Sequence, residues 1–216
     1  MTTSAVDFAS LLCSRLCHDL LSPVGALNNG LELLADEKDP AMRERCMELL
    51  AESARTSAAK LKFFRLAFGA AGGFGDAVDA REARSAIEGL LAGNKRLEVA
   101  WLVEEETLPK PAAKVLLTLG MIAGDALVRG GRLDVGAERG ETGALEVVMR
   151  AQGPRLVLDP TLRDALTGGE AAAEVTARTV AAHLVHAVVA AAGGSVQVDN
   201  AEDGSLLFGA VFPAQA

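Results

Sequence analysis

The chain has few cysteines, three among its 216 residues. A small, odd number does not suit a disulfide framework. Cys13 and Cys17 lie four residues apart on one predicted helix and Cys46 lies on the next, without the Cys-x-x-Cys spacing that is typical of zinc sites. We therefore expect neither disulfides nor a metal bound by this chain.

Long apolar runs and an excess of positive charge are also absent. No hydrophobic stretch reaches the ~18 residues that cross a membrane, and the first residues lack the basic-then-apolar layout of a signal peptide. A net charge of -8 gives no general attraction to nucleic-acid phosphates. With 50% hydrophobic and 23% charged residues, the composition is typical of a globular protein. We expect it to be cytoplasmic and to bind neither membranes nor nucleic acids.

The first part of the sequence predicts a long amphipathic helix over residues 6–35. At about 100° per residue, one stripe is apolar and is interpreted as core: Phe8, Leu12, Leu16, Leu20, Val24, Leu27, Leu31 and Leu34. The opposite side carries small or polar residues: Ser14, His18, Ser22, Gly25, Asn29 and Glu32. The spacing therefore predicts that the His18 imidazole faces solvent. Leu11 and Leu21 fall on the same side, which is typical of a docking surface.

Two residues beside His18 bear on its chemistry. Pro23 lacks the N–H that would bond the Asp19 carbonyl, so we expect a free acceptor and a bend one turn beyond His18. The Asp19 carboxylate is placed to accept a hydrogen bond from one ring nitrogen, which leaves the other nitrogen as a neutral nucleophile. The pattern indicates a histidine that accepts a phosphoryl group. An ordinary solvated histidine is the alternative.

A second helix is predicted from Asp39, an N-cap followed by Pro40, to Gly69. Its apolar residues recur every three or four positions or at multiples of that spacing: Met42, Cys46, Leu50, Ala54, Ala58, Leu61 and Phe68. Two helices of similar length joined by a short turn form an antiparallel hairpin. Because two helices alone do not cover both apolar stripes, we expect a homodimer held by a four-helix bundle.

The glycine-rich segment 70–76 is interpreted as a linker between a hairpin domain, residues 1–70, and a second domain, residues 77–216. In the second domain the patterns predict helices at 80–92, 110–128 and 176–192, and strands at 97–103, 133–137, 145–151, 196–199 and 206–212. The expected fold class is α+β: a helical hairpin followed by an α/β sandwich with helices over one face of a mixed sheet.

The hairpin motif resembles the H-box of histidine kinases, in which a histidine is followed by an acid and, four residues later, by proline. The motif consists here of His18, Asp19, Leu20, Leu21, Ser22 and Pro23. The second domain, with its long helix, glycine pairs, paired strands and final helix, resembles the GHKL-type ATPase domain of the same kinases. The resemblance covers nearly the whole chain and implies the same two folds.

The groups that bind nucleotide in that family are missing. Where the family has a magnesium-holding asparagine, this chain has Ile122, which offers no oxygen ligand. Where the family has an aspartate for adenine, it has Ala151. The segment 160–178 lacks a glycine-rich lid, apart from a weak remnant beginning at Gly168. We therefore expect no ATP binding and no cofactor, although Asp125, one turn beyond Ile122, is placed to imitate a ligand.

A histidine hairpin joined to an ATPase-like domain without its nucleotide site is similar to the ChpT-type histidine phosphotransferases of alphaproteobacterial phosphorelays. This resemblance implies a homodimer that receives a phosphoryl group from the receiver domain of a hybrid histidine kinase and passes it to a response regulator. It identifies His18 as the phosphoacceptor, Asp19 as its acidic neighbour and Pro23 as the bend, with Ser22 where kinases often have threonine or asparagine. Magnesium is expected on the partner receiver domain.

We expect receiver domains to dock around His18, with basic side chains facing the acidic pocket of the receiver. The candidate docking residues are Leu11, Ser14, Arg15, Leu21, Lys60 and Lys62. A solvated helix face is the alternative for the basic residues. A second hypothesis for the protein is a dimeric binding module that sequesters kinases or regulators without becoming phosphorylated. A third is an active kinase with an unusual nucleotide site.

Overall fold

A helical hairpin forms the first part of the molecule. The computed structural model describes residues 3–69, 76–169 and 174–214. Helix α1 spans Ala5–Asp36 and helix α2 spans Pro40–Phe68, so both predicted helices are confirmed to within one residue at each end. Each begins after a residue whose side chain caps the first turn, Ser4 for α1 and Asp39 for α2.

The apolar stripe of α1 is only partly covered. Six of its eight residues are half-buried, whereas Val24 and Leu31 are 44% and 57% exposed. The interpretation of the stripe as core is therefore wrong for these two residues within a single chain. The physical reason is that α2, even with the shorter contact that α6 makes with α1, is too narrow to cover a stripe of this width.

The second part of the molecule alternates strands and helices. The strands are β1 (Ala77–Asp79), β2 (Leu97–Trp101), β3 (Thr107–Pro109), β4 (Gly131–Arg139), β5 (Leu145–Gln152), β6 (Ser195–Asn200) and β7 (Leu206–Phe212). The helices are α3 (Ala80–Leu91), α4 (Lys110–Ala126), α5 (Pro160–Thr167) and α6 (Val180–Ala191). The sequence patterns give no sign of β1, β3 or α5, because such short elements are too brief to show a hydrophobic period.

Five of the strands form one mixed sheet in the order β2-β4-β5-β7-β6, with β2 and β4 parallel and the other neighbours antiparallel. Strands β1 and β3 form a separate antiparallel pair. Burial alternates along β5 and β7, so one face of the sheet is covered, and α4 and α6 pack against the sheet. The predicted α+β class, with helices over one face of a mixed sheet, is confirmed.

The end of the hairpin belongs to the core of the second part. Phe63, Phe64 and Ala67 of α2 lie in the same hydrophobic cluster as α4 and the sheet. The rings of Phe63, Phe64 and Phe68 contact one another at centroid distances of 5.9 to 6.4 Å. These rings belong to α2, and their burial in the shared cluster anchors the hairpin to the second domain.

A lysine of α4 reinforces this junction. Its ammonium, Lys114 Nζ, donates to the Gly69 carbonyl at the end of α2, over 2.7 Å. Burial, and then the nearby charge of Lys110, lower the pKa of Lys114. Residues 70–75 of the predicted linker lie outside the described residues. In the ranges that are described, no helix has both the length and the apolar character of a membrane span.

Candidate phosphoacceptor site

His18 projects from α1 close to the midpoint of the helix. Its side chain is 83% exposed, and its Nδ1 lies 3.2 Å from Asp19 Oδ1. When the proton is on Nδ1, the ring donates it to the carboxylate and the Nε2 lone pair is the nucleophile. The structure therefore has the exposed imidazole and the carboxylate contact that the motif predicts.

The Asp19 carboxylate is held on its other side by an arginine. Asp19 Oδ2 accepts from Arg15 Nε over 2.8 Å, one helical turn earlier. Both side chains are only 21% exposed, in contrast to His18. Such a charge-assisted contact fixes the carboxylate more firmly than a contact in open solvent. Each carboxylate oxygen of Asp19 thus has one of these two partners: Oδ1 faces the imidazole and Oδ2 accepts from the guanidinium.

Pro23 is buried, and α1 continues through it as a helix. The proline leaves the Asp19 carbonyl without its usual helical donor. That carbonyl accepts from Lys60 Nζ of α2 over 2.7 Å. The expectation of a free acceptor at Asp19 is therefore wrong, because a lysine from the neighbouring helix replaces the missing N–H. The bend at Pro23 stays a prediction.

Some of the predicted docking residues are exposed, and the others are half-buried or have contacts inside the chain. Ser14 and Leu21 are exposed near His18, with Leu21 at 69%, and Ser22 is exposed as well. The expectation of an exposed Leu11 is wrong, since its side chain is half-buried.

The three basic docking candidates all have contacts within the chain. Arg15 bonds Asp19 and Lys60 bonds the Asp19 carbonyl. Lys62 Nζ donates to Ser85 Oγ of α3 over 3.1 Å. Their contact with a receiver domain stays a prediction, and each has a structural task besides it.

Asp125 of the second domain also reaches the site. The sequence suggested it only as a residue that could imitate a metal ligand. Asp125, in the last turn of α4, places Oδ2 3.6 Å from Arg15 Nη2. Its position one turn beyond Ile122 gives no indication of this contact. The contact depends on how the hairpin packs against α4, which no local pattern reveals.

A cavity of ≈ 230 Å³ lies beside Asp125 at the end of α4. It is lined partly by Ile122, which offers no oxygen to a metal. Its carboxylates face arginines of this chain: Asp125 faces Arg15, and Asp159 lies 2.8 Å from an Arg178 nitrogen. The charged groups of the cavity thus neutralise one another. The absence of ATP binding stays a prediction.

Gly168, interpreted from the sequence as a remnant of a nucleotide lid, has a structural explanation. It caps α5 with φ of 71°, and a Cβ there would lie 2.5 Å from His186 Cε1. His186 Nδ1 in turn lies 3.2 Å from the Leu166 carbonyl oxygen. Residues 170–173, within the segment where the related kinases have their lid, lie outside the described residues. Among those that are described, no group of three or more metal-ligating side chains occurs.

Comparison with known proteins identifies the family. The family model for the histidine phosphotransferase C-terminal domain matches residues 80–204. The protein phosphotransferase ChpT of Brucella abortus (strain 2308) is 36% identical over 204 residues, which cover 94% of this chain and 95% of the relative. A solved structure of a bacterial phosphotransferase superposes on this chain with a TM-score of 0.84 and is 34% identical in sequence. The match covers 97% of this chain and 98% of the solved chain. The chain belongs to the ChpT-type family of histidine phosphotransferases.

Proposed function

We propose that this protein carries a phosphoryl group between aspartates of receiver domains through His18, without using ATP. The observation that carries the proposal is the exposed imidazole whose Nδ1 faces Asp19. Membership of the histidine phosphotransferases supports the reaction class. Phosphoryl transfer depends mainly on positioning and charge stabilisation, so a well-oriented nucleophile on an accessible surface is sufficient apparatus.

In the transfer step, the Nε2 lone pair of neutral His18 attacks the phosphorus of an aspartyl phosphate on the receiver. The N–P bond forms as the P–O bond to the aspartate breaks, and the aspartate leaves as a carboxylate with the electron pair. The Nδ1 proton stays on the ring, which then carries a positive charge. Asp19, 3.2 Å away, stabilises that charge.

The reverse step follows from the same arrangement. A ring that keeps its Nδ1 proton leaves phosphorus as neutral imidazole, which is a better leaving group than an imidazole anion. A second receiver aspartate attacks phosphorus, the N–P bond breaks, and the electron pair returns to Nε2. Magnesium at the receiver's own acidic pocket would neutralise the phosphoryl oxygens. No cofactor of this chain enters either step.

The partners in this proposal are a donor, the receiver domain of a hybrid histidine kinase, and an acceptor, a response regulator, all in the cytoplasm. Ser14 and Leu21 offer exposed contact area beside His18. Buried apolar contacts at the centre of an interface, with charges at its rim, are the usual basis of such docking.

The proposal includes a homodimer. Val24 and Leu31 of α1 and Met42 and Leu49 of α2 are between 43% and 59% exposed. Each pair is seven residues apart and therefore lies on one helix face. A second hairpin laid against these faces would complete a four-helix bundle and bury side chains that a single chain leaves in water.

The test uses a receiver domain phosphorylated with radiolabel by its own kinase and separated from nucleotide. We expect label to move to the purified chain in an acid-labile, alkali-stable form, and His18→Gln to abolish this transfer. A wild-type chain that binds the receiver but acquires no label would contradict the proposal and support the sequestering module instead. Incubation with labelled ATP alone tests the kinase alternative, for which we expect no label.

A further inference from the structure

We infer that Asp125 of the second domain is a positioning residue for phosphoryl transfer at His18, acting through Arg15 and Asp19. The inference rests on the proposed function and assigns a task to the second domain in it. Asp125 does not touch the reacting atoms. It holds the guanidinium that holds the carboxylate beside the imidazole.

Three contacts connect the two domains in series. The His18 ring faces Asp19 Oδ1 at 3.2 Å, Asp19 Oδ2 accepts from Arg15 Nε at 2.8 Å, and Arg15 Nη2 lies 3.6 Å from Asp125 Oδ2. The planar guanidinium presents separate nitrogens to the two carboxylates, so one side chain serves both. A lysine has a single nitrogen and lacks this geometry.

Within α4 alone, the position of the Asp125 carboxylate is electrostatically unfavourable. A carboxylate in the last turn of a helix faces the negative end of the helix dipole, and that turn contains no basic residue. The Arg15 guanidinium of α1 supplies the missing positive charge. The aspartate therefore gains its favourable partner from the hairpin.

The consequence for the reaction concerns the freedom of Arg15 and Asp19. An arginine side chain has many rotamers, and the hydrogen bond to Asp19 together with the ion pair to Asp125, whose side chain is 67% exposed, restricts them. Lys60 independently fixes the backbone of Asp19 through its carbonyl. With side chain and backbone both held, Oδ1 stays toward His18 Nδ1 and favours the tautomer with a nucleophilic Nε2. A domain with Ile122 and Ala151 at its former nucleotide positions would thus still contribute to catalysis.

The experiment compares the full-length wild type with Asp125→Asn, which keeps the shape and removes the charge. At saturating phosphorylated receiver we expect the transfer rate to fall about fivefold, within the range for residues coupled to a site through an intermediary. The half-saturating receiver concentration should not change. Nitrogen NMR of the His18 ring, assigned with His18→Gln, should show a loss of the Nδ1-protonated tautomer. Asp134→Asn, which removes another paired aspartate, on β4, is the matched control and should change neither readout.

A second variant tests the same contact from the other domain. Arg15→Lys keeps the positive charge and leaves α4 untouched, and we expect the same loss of rate and the same tautomer shift. The double variant should be no slower than Arg15→Lys alone. If the wild type becomes labelled and Asp125→Asn transfers the phosphoryl group at the wild-type rate, the inference is overturned and the proposed function stays intact. A change confined to the half-saturating concentration would make Asp125 a docking residue and would also overturn it. A wild type without label would overturn the proposed function itself.

Discussion

Helices α1 and α4 use apolar residues in opposite ways. Helix α1 has 32 residues, of which only Pro23 and Gly30 are fully buried, whereas α4 has 17 and buries thirteen. Helix α4 lies between the sheet and the end of the hairpin and is apolar around nearly its whole circumference. The residues proposed for chemistry and assembly are on the poorly buried helix. We therefore expect α4 to contribute most to the stability of the chain and α1 to provide the proposed contacts with other proteins.

The largest effect expected from this comparison follows removal of a leucine from each helix. Leu117 of α4 is completely buried, so Leu117→Ala should lower the free energy of unfolding by about 3–4 kcal/mol through lost burial and a cavity. Leu31→Ala on α1 should cost less than about 1 kcal/mol within a monomer, because its side chain is 57% exposed. Urea denaturation at a concentration where the chain is monomeric measures both values.

The same pair of variants also tests the proposed dimer. Leu31→Ala should raise the dimer dissociation constant measured by analytical ultracentrifugation, and Leu117→Ala should not do so while the chain remains folded. Equal losses of monomer stability in the two variants would contradict the division of tasks between α1 and α4.

A second prediction compares glycines in the two regions. Gly131, at the start of β4, has φ of 136°, and a Cβ there would lie 2.2 Å from the Gln152 carbonyl oxygen. Gly131→Ala should therefore lower the free energy of unfolding by about 2–3 kcal/mol. Gly25 of α1 has no atom within 4 Å of the corresponding position, so Gly25→Ala should stabilise the helix by about 0.5–1 kcal/mol. Thermal unfolding followed by circular dichroism distinguishes the opposite signs.

The sequence patterns predicted those features of the fold that depend on a single helix or strand. The bounds of α1 and α2 and the exposure of His18 follow from periodicity within a helix, and β5 and β7 from alternation within a strand. His18, the proposed nucleophile, and the Asp19 carboxylate are adjacent in the sequence, so their contact was also predictable. The resemblance to a known family supplied the reaction class.

The contacts that join elements were not predictable in this way. The sequence shows that Pro23 removes the donor for the Asp19 carbonyl, but it does not show that Lys60 of α2 replaces it. Likewise, Arg15 and Asp125 are far apart in the chain, and their approach depends on the packing of the hairpin against the second domain. Lysines and arginines on a predicted polar face are compatible with solvent, a partner or an internal acceptor, and only the packed structure distinguishes these.

A third prediction concerns Lys60, the lysine that donates to the Asp19 carbonyl of α1. Lys60→Met keeps most of the apolar stem and leaves the Asp19 carbonyl without its donor, so it should lower the free energy of unfolding by about 1 kcal/mol. In a Pro23→Ala background, residue 23 regains an N–H for that carbonyl. There the effect of Lys60→Met should be much smaller. Urea denaturation of the wild type, the two single variants and the double variant gives the coupling free energy between the two substitutions. An equal cost of Lys60→Met in both backgrounds would contradict this role of Lys60.

The smallest expected effect is in the turn between β6 and β7, where stability depends on pH. Hydrogen bonds from Ser205 and then Arg150 lower the pKa of Asp203 from 3.8 to about 2. Because the pKa is lower in the folded chain, the carboxylate stabilises the fold above the unfolded pKa, and this contribution is lost as the pH falls toward 2. Asp203→Asn should therefore be less stable than the wild type at pH 6, and the difference should disappear near pH 2. Urea denaturation across this range measures it, and Glu202→Gln in the same turn is the matched control. A difference independent of pH would contradict this prediction and show that the side chain acts through its shape.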